Sequence, residues 1–234
     1  MNSPRPNSVE PTSDQHAQIG SSSKGHLLAD LCLLATATMW GCNIPIVKDT
    51  TTRIDPFVFN AARLTLATLA LGLFAWIESR RRVPSNQPFP WGRFAVFSAL
   101  TGFIYMVLFM LGISRTTAGN VALLLSSMPM WTAIFSYFFI GERLHVANWI
   151  GLAITFVGTL AVITMGAMEE GKGVNLSTKY LAGNLLILFA AMTWASGTLV
   201  SKKLLDTVGP MKLAFMSAVF TTPLHLLIVA NTIG

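Results

Sequence analysis

The sequence predicts an all-α, polytopic membrane helix bundle, arranged as an inverted five-helix repeat whose second copy is truncated. Three observations carry that expectation. The first is composition. Of 234 residues, 53% are hydrophobic and only 11% are charged, and the mean hydropathy is +0.59. Soluble domains carry about 25% charged residues, so most of this chain cannot be water-facing surface. The second is patterning: the charges are bunched between apolar stretches, each close to the roughly 20 residues a helix needs to cross hydrocarbon. The third is a long-range repeat. Trp40, Lys48 and Pro56 return as Trp194, Lys202 and Pro210, each pair 154 positions apart. A period this long is not that of a solenoid; it fits two copies of a membrane module.

Residues 1–26 are polar, rich in Ser, Pro, Asn and Gln, and read as a disordered cytoplasmic tail. The apolar run that follows is not a cleavable leader, because its polar lead is long and further spans come after it. Seven spans follow at about 27–47, 56–77, 94–113, 119–140, 147–167, 180–200 and 211–230. Helix is forced there, since lipid offers no hydrogen bonds to an open backbone. Several links are a handful of residues long, which makes successive spans antiparallel neighbours. The first five spans form one unit, 27–167. An external linker, 168–179, leads into the start of a second unit, 180–234.

Basic residues set the orientation. Arg80, Arg81, Arg82 and Arg93 mark the second link as cytoplasmic, which also places the N-terminus inside. Arg143, Lys202 and Lys203 then fall inside as well, while Glu169 and Glu170 lie outside beside Lys172 and Lys179. Five is odd, so the second copy enters from the opposite side and is inverted. The expected location is the inner membrane.

The net charge of +6 is explained by those basic links, and no nucleic-acid motif accompanies it. Cys32 and Cys42, on one helix, lie about 15 Å apart at 1.5 Å per residue, beyond the reach of a disulfide. His16, His26, His145 and His225 share no ligand spacing, so neither a metal nor another cofactor is expected. No nucleophile–base pair points to an enzyme. Gly166 to Gly173 imitates a phosphate loop, but Gly173 stands where Ser or Thr is needed and no strand precedes it. Asn175-Leu176-Ser177 is a glycosylation acceptor pattern.

Arg63 is the most informative charge. It sits about 10 Å along its helix from Pro56, and a mid-span charge costs roughly 2.5–3.5 kcal/mol on insertion scales. It either captures an anionic group such as a carboxylate or bonds neighbouring carbonyls. Trp40 and Trp194, at equivalent depths, line a cavity or anchor at the interface. Asn43 contacts a solute or the next helix, and Tyr105 reaches a cavity or packs. Pro45 and Pro129 are hinges or static kinks. Glu142, beside Arg143, is a proton-coupling acid or half of a local ion pair. Lys48 and Lys202 complement the dipoles at their helix ends. Gly102, Gly112, Gly151 and Gly158 permit close helix approach.

These residues resemble the EamA-type drug/metabolite transporter family. The first unit carries Trp40-Gly41-x-Asn43, Lys48, Pro56 and Arg63, then Ala118-Gly119-Asn120-Val121-Ala122, Ser126, Pro129 and Gly141-Glu142-Arg143-Leu144, with Gly151 and Gly158 in the fifth span. The second unit matches through Trp194, Lys202 and Pro210. The resemblance implies ten helices in two inverted units with a solute cavity between them, lined by spans 1, 3, 4 and 6. It also implies secondary transport, often export, of amino acids, metabolites or drugs. The partners expected are the lipid bilayer, a small-molecule solute and a coupling ion. The last three helices of the family pattern are missing from this sequence. A truncated unit that acts only with a partner, a second copy of itself or the missing helices, or not at all, is therefore the alternative. A seven-helix receptor of the retinal type is disfavoured, because Lys212 lies at the edge of its span.

Overall fold

The computed structural model describes residues 13–81, 88–141, 145–154, 156–157 and 180–233, and these are helical with short turns between. Helix α1 runs Ser13–Arg53, beginning upstream of the apolar stretch. Helix α2 is Pro56–Arg81. The third span is one rod of three parts: α3 Trp91–Phe97, a π-helical segment Ser98–Ile104, and α4 Tyr105–Arg115. The fourth is α5 Ala118–Leu125 and α6 Met128–Ile140. Helices α7, Leu181–Leu205, and α8, Pro210–Ile233, complete the described chain.

Six of these rods, Leu27–Arg53, Pro56–Arg81, Trp91–Arg115, Ala118–Ile140, Leu181–Leu205 and Pro210–Asn231, are long and apolar enough to cross a membrane. Of the expected fifth span, residues 147–154 are helical; most of its remainder, with Gly158, the 168–179 linker and Glu142, lies outside the described residues. Residues 1–12 of the expected tail lie outside them too.

The chain divides into two compact units, residues 1–45 and 46–234, with the division inside α1 beside Pro45. In the first, Leu28, Leu31, Leu33, Leu34, Met39 and Trp40 are all exposed, as befits a helix whose solvent is lipid. The helix continues through Pro45.

In the second unit the most extensive helix–helix contact joins α2 to α8. The pair is antiparallel. Descending α2, Thr68 Oγ1 meets Thr222 Oγ1 at 3.0 Å, Gly72 packs on the Phe215 ring, and the Glu78 carboxylate accepts from the Lys212 backbone N–H at 2.9 Å. That last bond satisfies one of the orphan donors at the α8 N-terminus from a neighbouring helix. Thr68 and Thr222 are 154 residues apart, the spacing at which Trp, Lys and Pro repeat in the sequence.

Close packing elsewhere uses small residues, the usual device of membrane helices. A Cβ at Gly112 would come within 2.7 Å of Ile187 Cδ1, and one at Gly102 within 2.7 Å of Thr221 Cγ2. Gly197 lies against the Thr101 side chain, leaving no room for a Cβ. Gly151 differs from the expectation: a Cβ there meets no described atom within 4 Å. A small apolar cluster of Phe94, Leu204, Val208 and Leu213 ties the start of the third span to the turn between α7 and α8.

Pro129 stands in the first turn of α6, just after Ser127, so it opens a new helix after a turn instead of bending a continuous one. There its missing N–H would have been an orphan in any case. Gly141 closes α6 at φ 74°, a left-handed conformation that suits glycine.

The antiparallel register is directly testable. In a background with Cys32 and Cys42 changed to Ala, the pair Thr68→Cys and Thr222→Cys should form an intramolecular disulfide on mild oxidation, since hydroxyls 3.0 Å apart suit disulfide geometry. A mobility shift on non-reducing gels reads it out, and unlinked protein after full oxidation would contradict the packing.

Candidate functional site

Arg63 projects from the first third of α2. Its Nη2 donates to Asn60 Oδ1 at 3.1 Å and approaches Met106 Sδ at 3.6 Å. Its guanidinium carbon also lies 5.9 Å from the centre of the Phe59 ring. Asn60, one helical turn earlier, is on the same face of α2, and its side chain is fully buried. The charge is thus held by an amide oxygen, a polarisable sulfur and an aromatic face, with no carboxylate bonded to it among the described residues. The Met106 contact sets it one residue from Tyr105 on α4.

Tyr105 begins α4 and is 8% exposed. Its ring lies 4.8 Å from Trp194 of α7 at an interplanar angle of 53°, and stacks on Phe109 at 5.8 Å. The second unit therefore brings together three of the sequence-predicted residues, Arg63, Tyr105 and Trp194, around the middle of the third span. Trp40 and Asn43 belong to the first unit, where Trp40 is exposed and Asn43 half-buried.

The π-helical segment lies beside this group. A π turn widens the helix and redirects backbone carbonyls, and such turns concentrate at functional sites. The Gly102 carbonyl accepts a hydrogen bond from His225 Nε2 at 3.0 Å. His225 is 1% exposed, and its Nδ1 has no partner among the described residues. The same holds for Asn60 Nδ2 and for Ser98 Oγ within the π segment. Composition and spacing give no hint of His225 as a site residue. The only available signal is an ionisable side chain well inside an apolar span.

Lys48 takes a role that its sequence position half suggests. Its Nζ donates to the carbonyl of Ile113 at 2.8 Å and reaches that of Ser114 at 3.4 Å. It satisfies the C-terminal carbonyls of α4 instead of those of its own helix. Lys202 lies exposed in the last turn of α7. Below Lys48, the α4–α5 turn is locked to α7 by amides. Asn120 Nδ2 donates to Asn184 Oδ1 at 3.0 Å and to Thr116 Oγ1 at 3.1 Å, and Thr116 donates to Asn184 Oδ1 at 2.6 Å. Gly183 makes room for the turn, since a Cβ there would lie 2.7 Å from the Arg115 carbonyl. Asn120 thus has a visible task as an interhelical lock.

Residues 27–164 match the model of the "EamA-like transporter family". Among curated proteins, the chain is 26% identical over 173 residues to "Uncharacterized transporter YoaV" of Bacillus subtilis (strain 168), covering 74% of this chain and 56% of that one. It is 25% identical over 173 residues to the "Probable amino-acid metabolite efflux pump" of Escherichia coli (strain K12), covering 74% and 53%. The chain spans little more than half the length of these relatives. A solved structure described only as "Crystal structure of protein" shares the fold, with a TM-score of 0.60 and 23% identity over 79% of this chain and 60% of its own. Six apolar helices and this kinship make the chain a multi-pass membrane protein.

The amide lock makes a quantitative prediction. Asn120→Ala removes its bonds to Asn184 and Thr116, at about 0.5–1.5 kcal/mol each, while Thr116 and Asn184 keep each other. Thermal unfolding in detergent should show a clearly lowered midpoint, whereas Ser126→Ala, whose hydroxyl bonds only Leu123 O in its own helix, should be nearly neutral.

Proposed function

The chain belongs to the EamA-like transporter family, and on that premise we propose that it is a secondary transporter of small organic solutes bearing a carboxylate, amino-acid-like in class. It works by alternating access between inverted units, driven by an ion or solute gradient. It sits in the inner membrane with its N-terminus in the cytoplasm. The observation that carries the solute class is Arg63: a mid-span guanidinium with no described carboxylate partner, beside the Tyr105–Trp194 aromatic pair. A carboxylate neutralises a charge that is costly to leave in hydrocarbon, and the rings suit an apolar body. The name of the Escherichia coli relative, an amino-acid metabolite efflux pump, points to the same class.

Two features support the inverted repeat. Helices α2 and α8 begin at the equivalent prolines Pro56 and Pro210 and run antiparallel, as inverted copies require. Thr68 and Thr222, at the repeat spacing, touch each other, and equivalent residues meet only beside a two-fold axis. In this reading the turn before Pro129 and the proline in α1, Pro45, are the places where helices flex. Glu142 ends the fourth span as a gating or ion-pairing residue at the cytoplasmic face. Trp40 and Asn43 contribute the solute contacts of the first span.

A second reading follows from length. The chain spans little more than half of its relatives, so the unit described acts only once further helices, from a second copy or another partner, complete the cavity.

Transport by the purified chain in proteoliposomes separates the two: gradient-dependent uptake of a radiolabelled amino acid supports autonomous transport, and its absence favours the partner-dependent unit. Where uptake is measurable, Arg63→Ala should lower it about tenfold or more, the loss expected for a charge-assisted hydrogen bond, and spare uncharged solutes. Unchanged amino-acid uptake would remove Arg63 from the site. Orientation has its own check. With Cys32 and Cys42 changed to Ala, cysteines at Arg80→Cys and Glu170→Cys should react with impermeant thiol reagents from opposite sides of the membrane.

A further inference from the structure

We propose that His225 is the proton acceptor of the Arg63 subsite, so that a carboxylate bound there is taken up together with one proton. The proposal deepens the carboxylate reading and rests on it.

The argument starts from the ring's bonding. Gly102 O is a carbonyl and can only accept, so His225 Nε2, 3.0 Å away, carries the hydrogen of that bond. In the neutral ring Nδ1 is then a bare lone pair. It is buried, in a side chain 1% exposed, and no described group donates to it. An imidazole that serves only as packing has its acceptor satisfied; this one is left able to take a proton. Across the same cluster Asn60 Nδ2 is a buried donor without an acceptor, while Asn60 Oδ1 receives Arg63 Nη2. The cluster therefore holds unfilled donor capacity on α2 and an unfilled proton site on α8. A carboxylate with its proton fills both.

Electrostatics makes the two events depend on each other. The ionisable groups facing His225 are few. From α2 there is the Arg63 charge, which meets Met106 four residues along the third span from the Gly102 carbonyl that holds the ring. The π segment contributes no ionisable side chain, and Tyr105 follows it. From α7, no ionisable residue lies between Leu181 and Ser201. On α8 itself Lys212 lies at the opposite end, its backbone N–H bonded to Glu78. A carboxylate arriving between the ring and the guanidinium offsets the positive charge that a proton brings to the ring. By linkage, the proton then favours the anion by the same factor. The proton comes from the aqueous side to which the site is open and lands on Nδ1, with the Gly102 bond kept.

The test uses the full chain in nanodiscs with benzoate as the probe, an aromatic carboxylate that stays ionised above about pH 6. Calorimetric titrations in two buffers of different ionisation enthalpy count the protons taken up. The expected result is close to one proton per benzoate near about pH 7.5, with affinity falling about tenfold per pH unit above it. His225→Gln keeps a donor for Gly102 O but cannot be protonated. It should bind benzoate without proton uptake and with affinity flat in pH. Binding that requires Arg63 but takes up no proton in the unmodified chain overturns the role of His225 and leaves the carboxylate reading standing. Proton uptake that persists in His225→Gln also overturns it. No benzoate binding at all overturns both. The proton count on the unmodified chain stands even where the variant fails to fold.

Discussion

Hydrocarbon cannot hydrogen-bond, and that one constraint orders the rest of this molecule. Each polar group inside a span either finds a partner on the protein or stays unsatisfied at a cost of several kcal/mol. The chain obeys in a repetitive way. Hydroxyls of Thr50, Thr65, Thr101, Thr132, Ser196, Thr198 and Thr221 donate to carbonyls one turn back in their own helices. Where that is impossible, groups pair across helices: Asn120 with Asn184, Lys48 with the end of α4, Glu78 with the start of α8. Against such thorough satisfaction, the buried groups left over stand out. The described ones are Asn60, Ser98, Trp131 and His225, and two of these belong to the helices that meet around Arg63.

The architecture was legible because lipid imposes it through simple counts. Length, apolarity and basic links predict the helices, and six of the seven expected spans coincide with described rods while the fifth is helical over residues 147–154. The offset of 154 was legible too, from Trp, Lys and Pro. What the sequence did not announce is how those helices touch. Thr68 and Thr222 share the repeat spacing, but Thr is common in these spans, and only coordinates single out the pair that meets. The π segment has no residue signature at all, since its seven residues, Ser98–Ile104, read as ordinary apolar helix. It packs closely on its neighbours, with Gly197 against Thr101 and Thr221 against Gly102.

The candidate site was partly legible for the same reason. A mid-span charge is expensive, so Arg63 is conspicuous on energetic grounds alone. Tyr105 and Trp194 were separately suspected, and their 4.8 Å contact turns two ambiguous aromatics into one feature. Asn60 and His225 were not legible as site residues. An Asn in a span usually bonds the next helix, and a His with no ligand spacing usually packs. Their meaning lies in atoms that lack partners, which a sequence does not record. Pro129 shows the reverse case. Its residue type suggests a kink, but a turn at Ser126 and Ser127 puts it where a proline is harmless.

Packing also explains why the residues at the repeat spacing from Arg63 and Asn43 are small. The position 154 residues after Arg63 is Ser217, and the one after Asn43 is Gly197. Ser217 is buried with its hydroxyl against Gly102, and Gly197 has no room for a Cβ beside Thr101. A guanidinium at Ser217 or an amide at Gly197 would have to displace the third span. The close approach of α7 and α8 to the π segment therefore leaves no room for a long polar side chain at either position.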